Sequence, residues 1–175
     1  MPEGARRSPG ITIRHATPDD LDTVLDFRLA LLREHAGNPM YGRLRDDAPE
    51  RARRLFSAQL ASREEVTFLA ERPARGGRRQ RIALGVMRCM ESRSSPLLDP
   101  PRYGYVASVY VVPAARRSGV LRALLAAAEA WCAARGLDEM RLHAASDNDG
   151  GNAAWASLGF EIVEHLRTRR LPRAE

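Results

Sequence analysis

One stretch of the chain, residues 109–136, constrains the fold more than any other. Residues 109–112 are β-branched or aromatic, which is typical of a strand, and Pro113 ends the strand because proline has no backbone donor. From Val120 onward apolar residues recur at steps of three and four as far as Gly136. That spacing indicates an amphipathic helix closed by a glycine. The sequence therefore predicts a strand, a short loop and a helix in direct succession.

The loop between strand and helix contains Arg116, Arg117, Ser118 and Gly119. The first N–H groups of a helix have no partner within the helix, so a basic loop at this point can hold an anion. The spacing is not that of the Gly-Lys-Ser/Thr phosphate loop, and the loop lacks the three glycines of a dinucleotide-binding turn. An ordinary solvated loop is the alternative. We predict a phosphate-binding site here.

A second motif follows, in which Asn148 precedes a Gly-Phe pair at 159–160 by eleven residues. With Arg116 and Gly119 in the loop, it makes the chain resemble the GCN5-related N-acetyltransferase (GNAT) superfamily. The hallmarks of that superfamily are a strand, a proline, the loop R/Q-x-x-G-x-G/A and a helix, followed by a later N-x-x-A segment and a G-F pair. Leu121 occupies a position where a small residue is usual, so its side chain must turn into the helix packing. The resemblance extends over residues 11–170.

Length and composition fit one domain. The chain has 175 residues, of which 44% are hydrophobic, and this suits a single core. We predict a disordered segment at 1–10 and an acetyltransferase domain at 11–171. No apolar run approaches the ~20 residues needed to cross a bilayer, and the start lacks the apolar core of a signal peptide. We therefore expect a cytoplasmic protein without a membrane partner.

The net charge of +6 raises the possibility of a nucleic-acid partner. All the basic side chains apart from histidine are arginines, and most of them alternate with acidic residues. Two denser basic clusters, at 75–81 and 167–173, contain no aromatic residue that could stack on bases. Nucleic-acid binding is therefore the minor interpretation.

Periodicity along the chain predicts an α/β fold. The predicted strands are 11–15, 66–71, 82–90, 103–112, 140–145, 160–163 and 165–170, and the predicted helices are 17–35, 49–60, 120–136 and 152–158. Residues 71–81 should connect an antiparallel hairpin. We expect a single-domain, GNAT-like mixed sheet of six to seven strands flanked by about four helices. The helix at 120–136 should cross between two parallel neighbours.

The resemblance implies acetyl-coenzyme A (acetyl-CoA) as the acyl donor, bound where two central strands part. Backbone N–H groups of residues 117–121 would hold its pyrophosphate, and the strand edge at 109–111 would pair with its pantetheine arm. The residues expected to bind the cofactor are Val109, Tyr110, Val111, Arg116, Arg117, Ser118, Gly119, Val120, Leu121, Asn148 and Trp155.

Two departures from the superfamily concern proton transfer. Trp155 occupies the place of a tyrosine that is proposed to protonate the departing thiolate, and an indole N–H cannot do this. Water or Tyr110 would then serve, or the thiolate leaves unassisted, and Trp155 packs. Ala107 and Ser108 stand where many relatives carry an acidic base.

A base is still wanted, because an amine of pKa ~10 is protonated at neutral pH. Three side chains are candidates for it, namely Glu34, His35 and His143. We predict an N-acetyltransferase that moves an acetyl group directly to a small-molecule or peptide amine, with no metal site and with a possible homodimer. The alternatives are a catalytically weak acyl-CoA-binding regulatory module and a nucleic-acid-associated basic protein.

Overall fold

The strands follow one another across a single sheet in chain order. A computed structural model describes residues 10–74 and 77–172. The predicted disordered segment 1–10 lies outside these ranges, apart from Gly10. Within these ranges the strands are β1 (Thr12–His15), β2 (Glu65–Ala74), β3 (Gly77–Arg93), β4 (Arg102–Val111) and β5 (Met140–Leu142), and the helices are α1 (Leu21–Glu34), α2 (Ala48–Ala61), α3 (Val120–Ala133) and α4 (Asp149–Ser157). The predicted α/β class is confirmed.

Pairing from β1 to β4 is antiparallel, and β5 pairs with β4 in parallel. Helix α3 makes the crossover between these last two strands, as a parallel connection requires. The predicted hairpin of β2 and β3 is confirmed, and both strands extend beyond the predicted 66–71 and 82–90 into the basic connection. Residues 75–76 of that connection lie outside the described residues.

Helices cover both faces of the sheet. Helix α3 buries Val120, Leu124 and Ala128 in a first core with the strands. Helices α1 and α2 form a second core on the opposite face, where Phe27 and Phe56 lie among buried strand side chains. The three- and four-residue spacing of apolar residues in α3 thus corresponds to a face that is buried in the structure. Three layers result, with the sheet in the middle.

The two closing strands predicted at 160–163 and 165–170 are wrong, and the described part of the sheet has five strands rather than six to seven. Residues 160–172 run without ladder pairing, and Ile162 and Val163 are 76% and 90% exposed. Strand β5, predicted at 140–145, already ends at Leu142, so it offers only three residues as a template. Alternating apolar residues form a strand only where a partner edge exists.

Among the described residues, no helix has the length and apolar character needed to cross a membrane. The same residues include no group of three or more His, Cys, Asp or Glu side chains arranged to hold a metal ion.

Gly104 lies at the point where β4 begins to pair with β5. It faces Met140 in the register, and a Cβ added to it would lie 2.4 Å from the Sγ of Cys132 on α3. Cys132 Sγ in turn lies 3.7 Å from Cys89 Sγ on β3, and burial raises the pKa of both thiols. Helix α3 therefore approaches the sheet as closely as it does because position 104 has no side chain.

Replacing Gly104 by alanine should lower the free energy of unfolding by about 1–3 kcal/mol, because the new methyl group overlaps Cys132 Sγ in a packed core. The measurement is urea denaturation of Gly104→Ala, Cys132→Ala and the double variant. In the double variant the cost of the alanine at 104 should shrink, since the clashing sulfur is gone. An unchanged cost in the Cys132→Ala background would contradict this account.

Candidate active site

Strands β4 and β5 pair over three residues only and then part. Gly104–Val106 faces Met140–Leu142, whereas β4 continues to Val111. On its other side β4 stays paired with β3 to its last residue, where Val111 faces Gly85. Within the described chain, the outer backbone edge of residues 107–111 therefore has no strand partner. Such an edge presents N–H and C=O groups to an extended ligand.

A β-bulge interrupts β4 beside this open edge. Val86 faces Tyr110 and Arg88 faces Ala107, so Ser108 and Val109 together oppose one residue of β3. Ser108 adopts a positive φ of 52°. A bulge bends a strand and increases its twist, and bulges are frequent next to active sites. The bulge accordingly turns the second half of β4 away from β5.

The loop after β4 brings the chain to the start of α3 with two left-handed residues. Arg117 has φ 63° and Gly119 has φ 87°, and the Ser118 hydroxyl donates to the Ala115 carbonyl at 2.7 Å. The first helical hydrogen bond runs from the Ala123 N–H to the Gly119 carbonyl at 3.0 Å. The three N–H groups before Ala123 are thus left for an external acceptor.

The first two residues of α3 pack their side chains into the fold. Val120 is 1% exposed, and Leu121 is partly buried against the first core. The bulk of Leu121, unusual at this position of the motif, is accommodated in helix packing, and its N–H is still part of the first turn. This matches the expectation drawn from the sequence.

Four of the predicted site residues meet at the end of α1, namely Glu34, Tyr110, Val111 and Arg116. Arg116 donates from Nε to the Val111 carbonyl at 3.0 Å and from Nη2 to Glu34 Oε1 at 2.5 Å. Its guanidinium also lies 5.7 Å from the ring centroid of Tyr110, which packs against Phe27. Glu34 and Arg116 are 40% and 44% exposed. Water screens such a pair, so its effect is to position the end of β4 more than to stabilise the fold.

The other predicted residues lie apart from this cluster. His35 lies against Tyr41 in a tilted arrangement, with 5.9 Å between ring centroids. Asn148 Oδ1 accepts from the Gly151 N–H at 2.9 Å and so caps α4. Trp155 meets Phe160 edge to face at 5.3 Å and packs against the first core. These contacts give Asn148 and Trp155 structural roles, and a cofactor contact by either stays a prediction.

A pair that the sequence did not reveal lies where the two strands part. Tyr105 Oη on β4 and His143 Nδ1, one residue beyond β5, are 2.7 Å apart. Burial raises the pKa of Tyr105, with the nearby phenols of Tyr41 and Tyr103 adding to the effect. His143 was a candidate, but Tyr105 was not. The sequence signal for Tyr105 was the predicted parallel pairing of its strand with the strand that precedes His143. The exact register of that pairing was needed to identify Tyr105.

Comparisons with known proteins show the family to which this fold belongs. A family model described as the acetyltransferase (GNAT) family matches residues 30–160. The chain is 31% identical over 161 residues to an aminoglycoside N(6')-acetyltransferase type 1 of Stenotrophomonas maltophilia, which covers 92% of this chain and 93% of that protein. A shorter match, 41% identical over 63 residues, covers 36% of this chain and 43% of the enzyme of the same name from Acinetobacter haemolyticus.

Among solved structures, a predicted acetyltransferase with acetyl-CoA from Clostridium acetobutylicum has the same fold. It superposes with a TM-score of 0.70 at 17% identity, over 91% of this chain and 96% of that one. The family model spans most of this chain, and the relative from Stenotrophomonas maltophilia aligns along nearly all of it. The chain therefore belongs to the GNAT family of acetyltransferases.

Proposed function

We propose that this acetyltransferase binds acetyl-CoA across the gap between β4 and β5 and transfers the acetyl group directly to a primary amine of a small molecule. One observation carries the proposal: the open edge of residues 107–111 leads straight into a left-handed loop and a helix N-terminus with free N–H groups. Acetyl-CoA in a relative of the same fold supports the donor. The relatives named as aminoglycoside acetyltransferases support a small-molecule acceptor.

The pyrophosphate of the cofactor would accept hydrogen bonds from the N–H groups of residues 117–121. The positive end of the α3 dipole and the exposed Arg117 would add to the attraction. Gly119 allows the backbone to approach the phosphates closely at a left-handed position. Arg116 is engaged by Glu34, so its charge acts on the phosphates from outside direct contact.

Transfer then needs no covalent enzyme intermediate. The pantetheine arm would lie along residues 109–111 as an added strand, and a backbone N–H there would polarise the thioester carbonyl. The neutral amine attacks the carbonyl carbon, the C–N bond forms, the C–S bond breaks, and coenzyme A leaves as the thiolate. Trp155 cannot supply the proton that the thiolate finally takes up, so that proton comes from solvent or Tyr110.

The proton lost by the amine goes to a base, and among the candidates the geometry favours His143. It follows the last residue of β5 that pairs with β4, so it borders the gap, and the Tyr105 hydroxyl orients its ring through Nδ1. In the tautomer in which Nδ1–H donates to the Tyr105 oxygen, the Nε2 atom is left to accept a proton, directly or through water. Glu34 forms an ion pair with Arg116, and His35 lies against the ring of Tyr41. Catalytic roles for those two residues and Tyr110 stay predictions.

Gly119→Asp should abolish binding of acetyl-CoA, because a carboxylate would face the pyrophosphate at the point of closest backbone approach. Gly119→Asn is the matched control, since asparagine has the same shape and tolerates a left-handed backbone but carries no charge. The measurement is calorimetric titration with acetyl-CoA, with coenzyme A and ATP for comparison. Undiminished binding by Gly119→Asp would place the phosphates elsewhere, whereas equal losses in both variants would indicate a steric effect.

His143→Gln should lower kcat by about 10²–10⁴-fold and remove the acidic limb of its pH profile, because a positioned general base contributes on that scale. Glu34→Gln should lower kcat by less than about tenfold, since the lost ion pair is exposed. Steady-state kinetics across pH with any accepted amine measures both. A full pH profile in His143→Gln together with a collapsed one in Glu34→Gln would move the base to Glu34.

A homodimer and a cytoplasmic location stay predictions. In support of the dimer, residues 162–171 expose large apolar side chains, and a second copy could cover them. These side chains are Ile162, Val163, Leu166 and Leu171. Light scattering should report a dimer that the double variant Val163→Asp/Leu166→Asp converts to monomer. A monomeric wild-type protein at millimolar concentration would contradict this prediction.

A further inference from the structure

A small cavity lies directly behind the bulge of β4, on the face of the sheet that α1 and α2 cover. Its polar lining comes from Arg28 on α1, Thr67 on β2, Arg88 on β3 and Ser108 at the bulge. Its volume is about 10 Å³, which is room for one water-sized group. The cavity therefore lies next to the proposed point of acetyl transfer and can admit only a small part of a ligand.

One of the two guanidinium groups in the cavity is already neutralised. Arg88 Nε donates to Glu65 Oε2, and the two side chains are 16% and 13% exposed. This partly buried pair contributes no net charge. Arg88 still has further N–H groups in its planar fork, which can donate to a second acceptor.

The other guanidinium, that of Arg28, has no such counter-ion. Among the residues that the structure describes, it makes no hydrogen bond and no ion pair, although the side chain is half-buried. Burial lowers the pKa of Arg28, the Tyr41 hydroxyl opposes this effect, and the Arg88 guanidinium adds to it. No carboxylate is among these influences. The cavity thus has one positive charge without a counter-ion among the described residues, and even partial burial of such a charge is unfavourable.

We infer that the acceptor is a primary amine that also carries a carboxylate, and that Arg28, assisted by Arg88, binds this carboxylate while the amine lies at the bulge of β4. The inference rests on the proposed acetyl transfer and specifies its acceptor. A single negative charge balances the single uncompensated positive charge. Guanidinium groups match the planar carboxylate in shape, and the hydroxyls of Thr67 and Ser108 can donate as well.

Charge favours a carboxylate over a phosphate monoester, since the phosphate carries about −1.5 to −2 at pH 7 and the cavity has one positive charge without a counter-ion within the described chain. Charge disfavours an aminoglycoside, the acceptor in the names of the relatives. Aminoglycosides carry several ammonium groups, and Arg28 and Arg88 would repel an ammonium near the bulge. The chain would therefore use the scaffold of those relatives for an acceptor of opposite charge.

The test uses matched acceptors that differ only in the carboxylate: a panel of amino acids, the carboxamide of each, and kanamycin. Binding to the coenzyme A-loaded protein is measured by calorimetry, and acetylation by thiol release. At least one amino acid should bind and react about 10- to 100-fold better than its amide, the range expected for a charged hydrogen bond. Kanamycin should be a poor substrate.

Arg28→Gln should remove this preference, mainly through KM, by lowering kcat/KM for the amino acid to that of its amide. Arg28→Lys should keep part of it, since the charge remains but the planar fork is lost. The matched control is Arg33→Gln on the exposed side of α1. This variant should leave kcat/KM unchanged for both the amino acid and its amide. Arg28→Met should also raise the melting temperature, because it removes an uncompensated charge. If Arg28 had a structural role instead, Arg28→Met should lower the melting temperature.

Equal binding of amino acids and amides, failure of every amino acid in the panel to bind, or preference for kanamycin would overturn the inference. Binding of acetyl-CoA is measured separately on the same protein. Its absence would contradict the proposed acetyl transfer itself, whereas normal acetyl-CoA binding with no carboxylate preference would contradict only the identity of the acceptor.

Discussion

The parting of β4 and β5 after three residue pairs is the constraint on which the rest of the site depends. The bulge at Ser108 causes it on one side, because an extra residue in β4 increases the local twist while β3 remains paired. On the other side, β5 ends at Leu142 and the chain turns toward α4. The result is a strand edge in the middle of the fold that no strand of the described residues covers. In the proposed complex, the amide groups of the cofactor would pair with that edge.

Much of this fold can be predicted from local pattern. The apolar spacing in α3, the β-branched run before Pro113 and Gly119 at the turn each depend on near neighbours in the chain, and each feature lies where the pattern indicates. The predicted strands after residue 160 were wrong because a strand needs a partner edge, and β5 is too short to give one. Pattern reports which face of a segment is apolar, but not whether another segment is there to pair with it.

The polar pairs of the site could not be predicted in the same way. Glu34 and Arg116 are 82 residues apart, and Tyr105 and His143 are 38 apart. Each contact depends on register and on how a helix end sits against a strand, neither of which composition specifies. The environment of Arg28 is a stronger case, since in sequence it is one more arginine in an arginine-rich chain. The packing of α1 on the sheet partly buries it, and no carboxylate of the described residues influences its pKa.

Trp155 and Arg28 show how one scaffold can keep its chemistry while its ligands differ. A phenol at position 155 is not essential, because the departing group is a thiolate. A thiol has a pKa of ~8.5, so its thiolate can leave near neutral pH with little help from an acid. In the inference drawn above, the acceptor is selected by the face of α1 that lines the cavity behind the bulge of β4. Val24 and Arg28 lie one helical turn apart and both line the cavity, so a single side chain of that face sets its charge. An acidic side chain there would favour an amine-rich sugar, whereas the arginine of this chain favours an amine that brings its own negative charge.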